Sequence, residues 1–449
     1  MNNNKMLRGS ITKSLLAIAV PIIFANILHT LYQLIDTFWV GRLGTEAVAA
    51  VSLSFPILFL MMSLALGLVT ASSILVAQYN GKGNQEKVSY TTGQSFSLVS
   101  IIAVIVTIIG YKFSNYFLSL LTTDPAVLQQ ATSYLQISFL AIIAMFIYTL
   151  FQSSMRGVGE VKIPLIIISI TVVMNFFLDP LLMFGWNFIP AMGVSGVALA
   201  TLITEYISAI IGIILLVRGS YGIKLRLKDM KLKLSWVKKL FKLGLPSSFE
   251  MGSRSFGMVL MTFVASMFGT LTIASFGIGM RIFMFIIIPG VGFSIATSAI
   301  VGNNLGAKQY ERAEKIVKTG MKVSFLTLAI LGILLFIFAK PITAFFVPGE
   351  AALVLESARF IRIMALTFGF IGIQMVIFGT LKAAGKTTTA MFLALFNTIM
   401  VFVISYVLSS PFGLKELGIW IAYPVSNVIS AGIAYYFYRK KDWLKKELV

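Results

Sequence analysis

Along the chain, long apolar runs alternate with short polar or basic breaks. The runs reach the length of about 20 residues that a helix needs to cross roughly 30 Å of hydrocarbon. On that criterion the pattern predicts twelve membrane-spanning helices, over 14–38, 48–77, 93–112, 131–155, 163–184, 192–217, 243–268, 273–301, 320–338, 355–381, 388–409 and 417–438. Strands are excluded, because the runs are too long and lack period-two alternation. The first run is too long for a cleavable signal peptide and carries polar residues in a helical pattern.

Composition sharpens this reading. Of 449 residues, 58% are hydrophobic and only 12% charged, so no soluble fold of this size could cover its apolar surface. A soluble enzyme, a disordered chain and a disulfide scaffold are excluded. Cysteine is absent and His29 is the single histidine, which argues against thiolate chemistry and a histidine metal site. The net charge of +20 would suggest nucleic acid in a soluble protein, but here its distribution matters more. Of the 36 lysines and arginines, 28 fall on one side: the amino terminus, the even-numbered loops and the tail. The segment 218–242 alone holds nine of them, and Lys445 and Lys446 stand in the tail. Only Arg42, Lys112, Lys340 and Lys415 fall on the other side. The asymmetry predicts a cell-membrane protein with both termini cytoplasmic. Contact with anionic membrane lipids accounts for the basic loops, and no nucleic-acid partner is expected.

The basic segment also divides a repeat. A shift of 225 residues places Pro21 on Pro246, Phe24 on Phe249, Gly44-Thr45 on Gly269-Thr270, Gly67 on Gly292, Gly81 on Gly306 and Glu86 on Glu311. Farther on, Arg156-Gly-Val-Gly159 matches Lys382-Ala-Ala-Gly385 at a shift of 226. Each half holds six spans, an even number, so both halves enter the membrane from the same side, as in parallel-repeat transporters. The expected organisation is a six-helix lobe over 1–217, a cytoplasmic basic linker over 218–242, a second six-helix lobe over 243–438 and a basic tail over 439–449. The fold class is all-α integral membrane, and a substrate path is expected between the lobes.

Ionisable groups inside spans are costly, at least about 2.5–3.5 kcal/mol at the bilayer centre, and each needs a reason. The first span carries Asn26, His29, Gln33 and Asp36 at helical spacing, with Tyr32 four residues before the acid. The fifth carries Asn175 and Asp179, and the sixth Thr201 and Glu205, both at i, i+4. Counting the helical rise from Lys13 and Lys162 puts Asp36 and Asp179 at similar depths in the outer half of the bilayer. Two close acids in low dielectric would share a proton or hold a small cation. Asn175 and Thr201 add neutral oxygens of the hard type that suits Na⁺. Under the repeat, Asp36 falls on Met261 and Asp179 within Val403-Ile404-Ser405, so the acid pair belongs to one half only. His29 and Glu205 are secondary candidates, and Asp179-Pro180 is expected to end or kink its helix. Glu250 and Arg254 form an i, i+4 pair, while Arg281, Arg359 and Arg362 line the second lobe or snorkel. No P-loop, nucleophile triad or HExxH motif is present, so neither ATP hydrolysis, an enzyme activity nor a cofactor is expected.

Two segments resemble a known family. AVPIIFANILHTLYQLIDTFWVGRLGTEAVAA, and NFFLDPLLMFG followed by GVSGVALAT, are similar to signatures of the multidrug and toxic compound extrusion (MATE) transporters, nearest the DNA-damage-inducible protein F-like branch. The resemblance implies a monomeric antiporter that exports amphipathic, often cationic compounds in exchange for H⁺ or Na⁺ by alternating access. It also implies a cation site at Asp36, Asn175, Asp179 and Thr201, with Tyr32 and Tyr134 nearby. Gln152 stands where some relatives have asparagine, and Glu250 lies too close to Pro246 to take the role of the acid that other branches carry in span seven. A lipid-linked oligosaccharide flippase of the related superfamily is the alternative, kept open by Arg254, Arg281, Arg359 and Arg362.

Overall fold

The apolar runs are helical throughout the computed structural model, which describes residues 3–444 and 448; Lys445 and Lys446 lie outside the described residues. In chain order the helices are α1 (Asn3–Arg8), α2 (Ile11–Val40), α3 (Thr45–Gly81), α4 (Gln85–Ser119), α5 (Pro125–Gly157), α6 (Lys162–Phe184), α7 (Val194–Arg218), α8 (Leu234–Ser266), α9 (Thr270–Ile286), α10 (Ile288–Gly306), α11 (Tyr310–Phe346), α12 (Ala351–Ala365), α13 (Phe368–Ala383), α14 (Thr387–Ser409) and α15 (Lys415–Arg439). Among the described residues the only β contact is an isolated bridge between Trp186 and Ile189.

Among the described residues nine helices are individually long and apolar enough to cross a membrane, and eleven spans result if α9–α10 and α12–α13 each count as one. The twelfth span of the fold is α8, where Glu250, Arg254 and the basic first turns dilute the apolar run. Helix bounds repeat as the sequence does. The shift of 225 carries α3 onto the α9–α10 pair and α6 onto α14, end to end. Gly44 and Gly269 precede matching helices with φ of 107° and 94°, a region open to glycine and costly for other residues.

The halves differ where the second is broken. The α9–α10 pair bends by 41° beside Pro289, which takes the second position of α10 and has Leu64 as its counterpart in unbroken α3. The α12–α13 pair bends by 56° without a proline; there Asn427 of α15 donates to the Thr367 hydroxyl at 3.3 Å.

The chain forms two compact units. Among the described residues, one comprises residues 24–248 with Asn3, and the other residues 4–23 with 249–444 and 448. Helices α2 and α8 are therefore each divided between units. Lipid tails are as apolar as leucine, so cohesion within a unit rests on close packing rather than on escape from water. In the second unit Phe360 stacks on Trp420 at 4.3 Å, with Phe276 and Tyr423 around them. In the first, Val76, Val88, Tyr148, Phe151 and Met155 form a buried cluster.

The basic segment after α7 docks on α4. Gln94 donates to the carbonyls of Asp229 and Lys231, each at 2.7 Å, and accepts from the Lys233 amide at 2.9 Å. Ser97 donates to the Met230 carbonyl at 2.7 Å. Helix α8 then begins at Leu234, inside the segment expected to be linker.

Glu250 is joined by a partner that spacing did not show. Its side chain is 2% exposed and meets Lys382 of α13 at 3.1 Å, while Arg254 stands at 3.6 Å. Lys382→Met is expected to lower stability by about 1–3 kcal/mol, the cost of leaving a buried polar group short of a partner. Adding Glu250→Gln should recover much of the loss. Thermal unfolding of the two single variants and the double variant checks this, since strict additivity would show the pair to be uncoupled.

Candidate functional site

The first unit gathers the sequence-predicted oxygens from three helices. On α2, the face made by Ala25, Leu28, Tyr32 and Ile35 packs against Leu165, Ile168 and Val172 of α6. That contact turns Asp36, one turn beyond Tyr32, toward α6 and α7. On α6, Asn175 and Asp179 are fully buried, and the Asn175 amide donates to Asp179 Oδ1 at 3.0 Å. On α7, Thr201 donates to Asp36 Oδ2 at 3.4 Å, a long contact. The carboxyls of Asp36 and Asp179 lie within hydrogen-bonding range of one another.

Each group retains an unsatisfied oxygen. Asp36 Oδ1, Asp179 Oδ2 and Asn175 Oδ1 are buried and have no hydrogen-bond partner. Among the described residues no lysine or arginine forms an ion pair with either acid. Paired carboxylates with free buried oxygens and no basic partner are incomplete electrostatically; the arrangement suits a proton or a small cation. Among the described residues no cluster of three or more Asp, Glu, His or Cys occurs, so a bound cation would rely on two carboxylates and neutral oxygens.

Helix α6 runs through Pro180 to Phe184 rather than ending there. Pro180 has no N–H to offer the Phe176 carbonyl, so the helix is weakened beside Asp179 without being terminated.

The other candidates divide. Tyr32 shares a 2.6 Å hydrogen bond with Thr204 of α7, a residue that sequence reasoning missed although it lies one turn from Thr201. Glu205 has a buried, unpartnered Oε2 and is an electrostatic neighbour of Tyr32 and Tyr148. Tyr148 donates to the Pro164 carbonyl at 3.0 Å. Tyr134 packs with Val40, Met183 and Val197 and is an electrostatic neighbour of both acids. Asn26, His29 and Gln33 lie one to three turns before Asp36 on α2; His29 and Gln33 are exposed, and no hydrogen bond joins these three or Gln152 to the acid pair.

Comparison with known proteins gives a consistent result. A family model described as MatE matches residues 21–181 and 246–407, one copy in each repeat. The probable multidrug resistance protein YoeA of Bacillus subtilis is 27% identical over 99% of this chain and 96% of its own. The probable multidrug resistance protein YpnP of the same organism is 26% identical over 98% of each chain. A crystal structure of a MATE protein in complex with MaL6 superposes with a TM-score of 0.92 over the full length of both chains at 24% identity, which shows a shared fold.

Proposed function

The chain belongs to the MatE family of transporters, and on that premise we propose that it exports small amphipathic, often cationic compounds in exchange for H⁺ or Na⁺. It is a multi-pass membrane transporter and not an enzyme, and the family requires no cofactor. The export reading takes further support from the two relatives named for multidrug resistance. The cation coupling rests on one observation: the three buried, unpartnered oxygens of Asp36, Asn175 and Asp179 beside Thr201.

In this reading a proton or Na⁺ neutralises the facing carboxylates. Their repulsion falls, and α2 and α6 pack more closely. Asp36, Asp179 and Asn175 would hold the ion, with Thr201 as a further neutral donor. Antiport then requires only that ion and exported compound prefer different conformations, a reciprocal coupling expressed as alternating access. The protein would work as a monomer in the cell membrane with both termini cytoplasmic, as the 28 basic residues on one side support.

The flippase alternative draws less support. Three of its four arginines are engaged within their own unit: Arg254 with Glu250, Arg359 with Glu356 at 3.8 Å, and Arg362 with the Phe336 carbonyl at 3.2 Å.

Purified protein in liposomes, with Na⁺ and H⁺ gradients imposed separately, tests the proposal. Export of a cationic dye should accelerate under at least one gradient and stop when an ionophore collapses it. Export indifferent to both gradients would overturn the coupling.

A further inference from the structure

One acid of the first unit stands outside the facing pair. Glu205 is the twelfth of the 25 residues of α7, so about 17 Å of helix separates it from one end and about 20 Å from the other. It is the only acidic residue of that helix. Its Oε2 is buried without a hydrogen-bond partner, and among the described residues no lysine or arginine pairs with the carboxyl.

Its place on α7 ties Glu205 to the acid pair without joining it. Thr201, one turn earlier on the same face, donates to Asp36, and Thr204, the residue before Glu205, shares the 2.6 Å hydrogen bond with Tyr32. Ala209, one turn later, is buried with Tyr148, Phe151 and Met155 of α5. Among the described residues no three acids or histidines cluster, so Glu205 is not a third ligand of the pair. Hydroxyls at neighbouring positions are committed elsewhere. Thr204 donates to the carbonyls of Ala200 and Thr201, Ser208 to that of Thr204 and Tyr148 to that of Pro164, all at 3.0 Å. The titratable groups on the surrounding helices are His29, Tyr32 and Asp36 of α2, Tyr134, Tyr148 and Arg156 of α5, and Asp179 of α6. On α7 itself Tyr206 donates to the Leu140 carbonyl at 3.4 Å.

A lone buried carboxylate with no basic partner is costly, and a proton removes that cost by making the group neutral. Na⁺ needs several oxygen ligands, which the committed hydroxyls do not offer. The fold does not require an acid at this position. Gly196 meets Leu182 and Met183 as Gly418 meets Leu408 and Ser409, which aligns α7 with α15 at a shift of 222, the loop before α15 being shorter. Asn427 is then the counterpart of Glu205, a neutral amide that donates to the Thr367 hydroxyl at 3.3 Å.

We propose that Glu205 is a second ion site of the first unit, specific for a proton and separate from the acid pair. Its carboxylate takes a proton from water in one conformation, forming the O–H bond, and returns it to water in the other. Each cycle then carries that proton in addition to the ion at Asp36 and Asp179. The carrying role rests on the antiport reading above; the protonation itself does not.

Infrared difference spectra of the purified full chain between acidic and alkaline pH test the site. They should show a protonated-carboxyl band that Glu205→Gln removes and that Glu205→Asp and Asp36→Asn/Asp179→Asn both keep. Elution profiles check folding, and Glu205→Asn gives a second amide variant. A band unchanged in both amide variants would overturn the proposal. In proteoliposomes under an H⁺ gradient, the number of protons entering per exported dye cation should fall by one in Glu205→Gln, and the rate by at least about fivefold. An unchanged ratio would overturn the carrying role. Export by the unsubstituted chain that is indifferent to both gradients would remove the antiport reading, and the infrared comparison would still decide the proton site.

Discussion

Replacing Asp36 or Asp179 with asparagine is expected to lower gradient-driven export by roughly 5–150-fold, the range spanned by a coupling free energy of about 1–3 kcal/mol. Asparagine keeps the shape of the side chain and removes the charge that a proton or Na⁺ would neutralise. Each substitution should therefore leave the protein folded and still able to bind its exported compound, but fixed near the ion-occupied condition. Asp179 is fully buried and held by Asn175 at 3.0 Å, so its replacement should disturb packing least and test the charge most cleanly. Thr201→Ala should have a smaller effect, because its 3.4 Å contact with Asp36 is long. Asn175→Ala separates the two ions. It removes an oxygen that Na⁺ would use, so a Na⁺-driven exporter should need more Na⁺ for half-maximal rate, whereas a proton-driven one should keep its pH dependence. Dye efflux from proteoliposomes, with elution profiles as the check on folding, measures all four. Export by both acid variants at the unsubstituted rate under both gradients would remove the acid pair from the mechanism.

Helix number and repeat were legible because each rests on a strong one-dimensional signal. Apolar length gives the spans, and the Gly, Pro and Glu residues matched at a shift of 225 reappear as matched helix ends. The breaks were less visible. Pro289 marks the α9–α10 bend, but the larger bend at Thr367 has no proline, and the contact it makes comes from Asn427, sixty residues away in the chain. At the site, spacing within each helix paired Asn175 with Asp179, while the rotation of α2 against α6 decides which polar stripe joins them. Tyr32 lies on the packed side and His29 is exposed, although His29 stands two turns before Asp36 and within about 20° of it in helical phase, so periodicity alone does not separate the two. The ion pair of Lys382 with Glu250 has no local signal in the sequence, because the two residues lie on α13 and α8.

Gly196→Val is expected to lower stability by about 3 kcal/mol, toward the upper end of the cost of overpacking a filled interior. A Cβ at Gly196 would stand 2.5 Å from the Leu182 carbonyl oxygen and 2.8 Å from the Met183 nitrogen. These are backbone atoms of α6, so no side-chain rotation can make room. The approach is fixed locally: the amides of Met192 and Gly193 donate to the carbonyls of Leu182 and Met183, both at 3.0 Å, tying the start of α7 to the end of α6. Any relief must push the two helices apart, between Asp179 on one and Thr201 on the other. Gly196→Ala should therefore cost less stability than valine yet still weaken coupling, since the same two helices carry the cation oxygens. Gly432→Ala is the contrast. No atom lies within 4 Å of its added Cβ, and replacing a mid-helix glycine should gain up to about 1 kcal/mol by restricting the unfolded chain. Thermal unfolding compares the variants, and valine at Gly196 unfolding at the unsubstituted temperature would show that α6 and α7 can separate without cost.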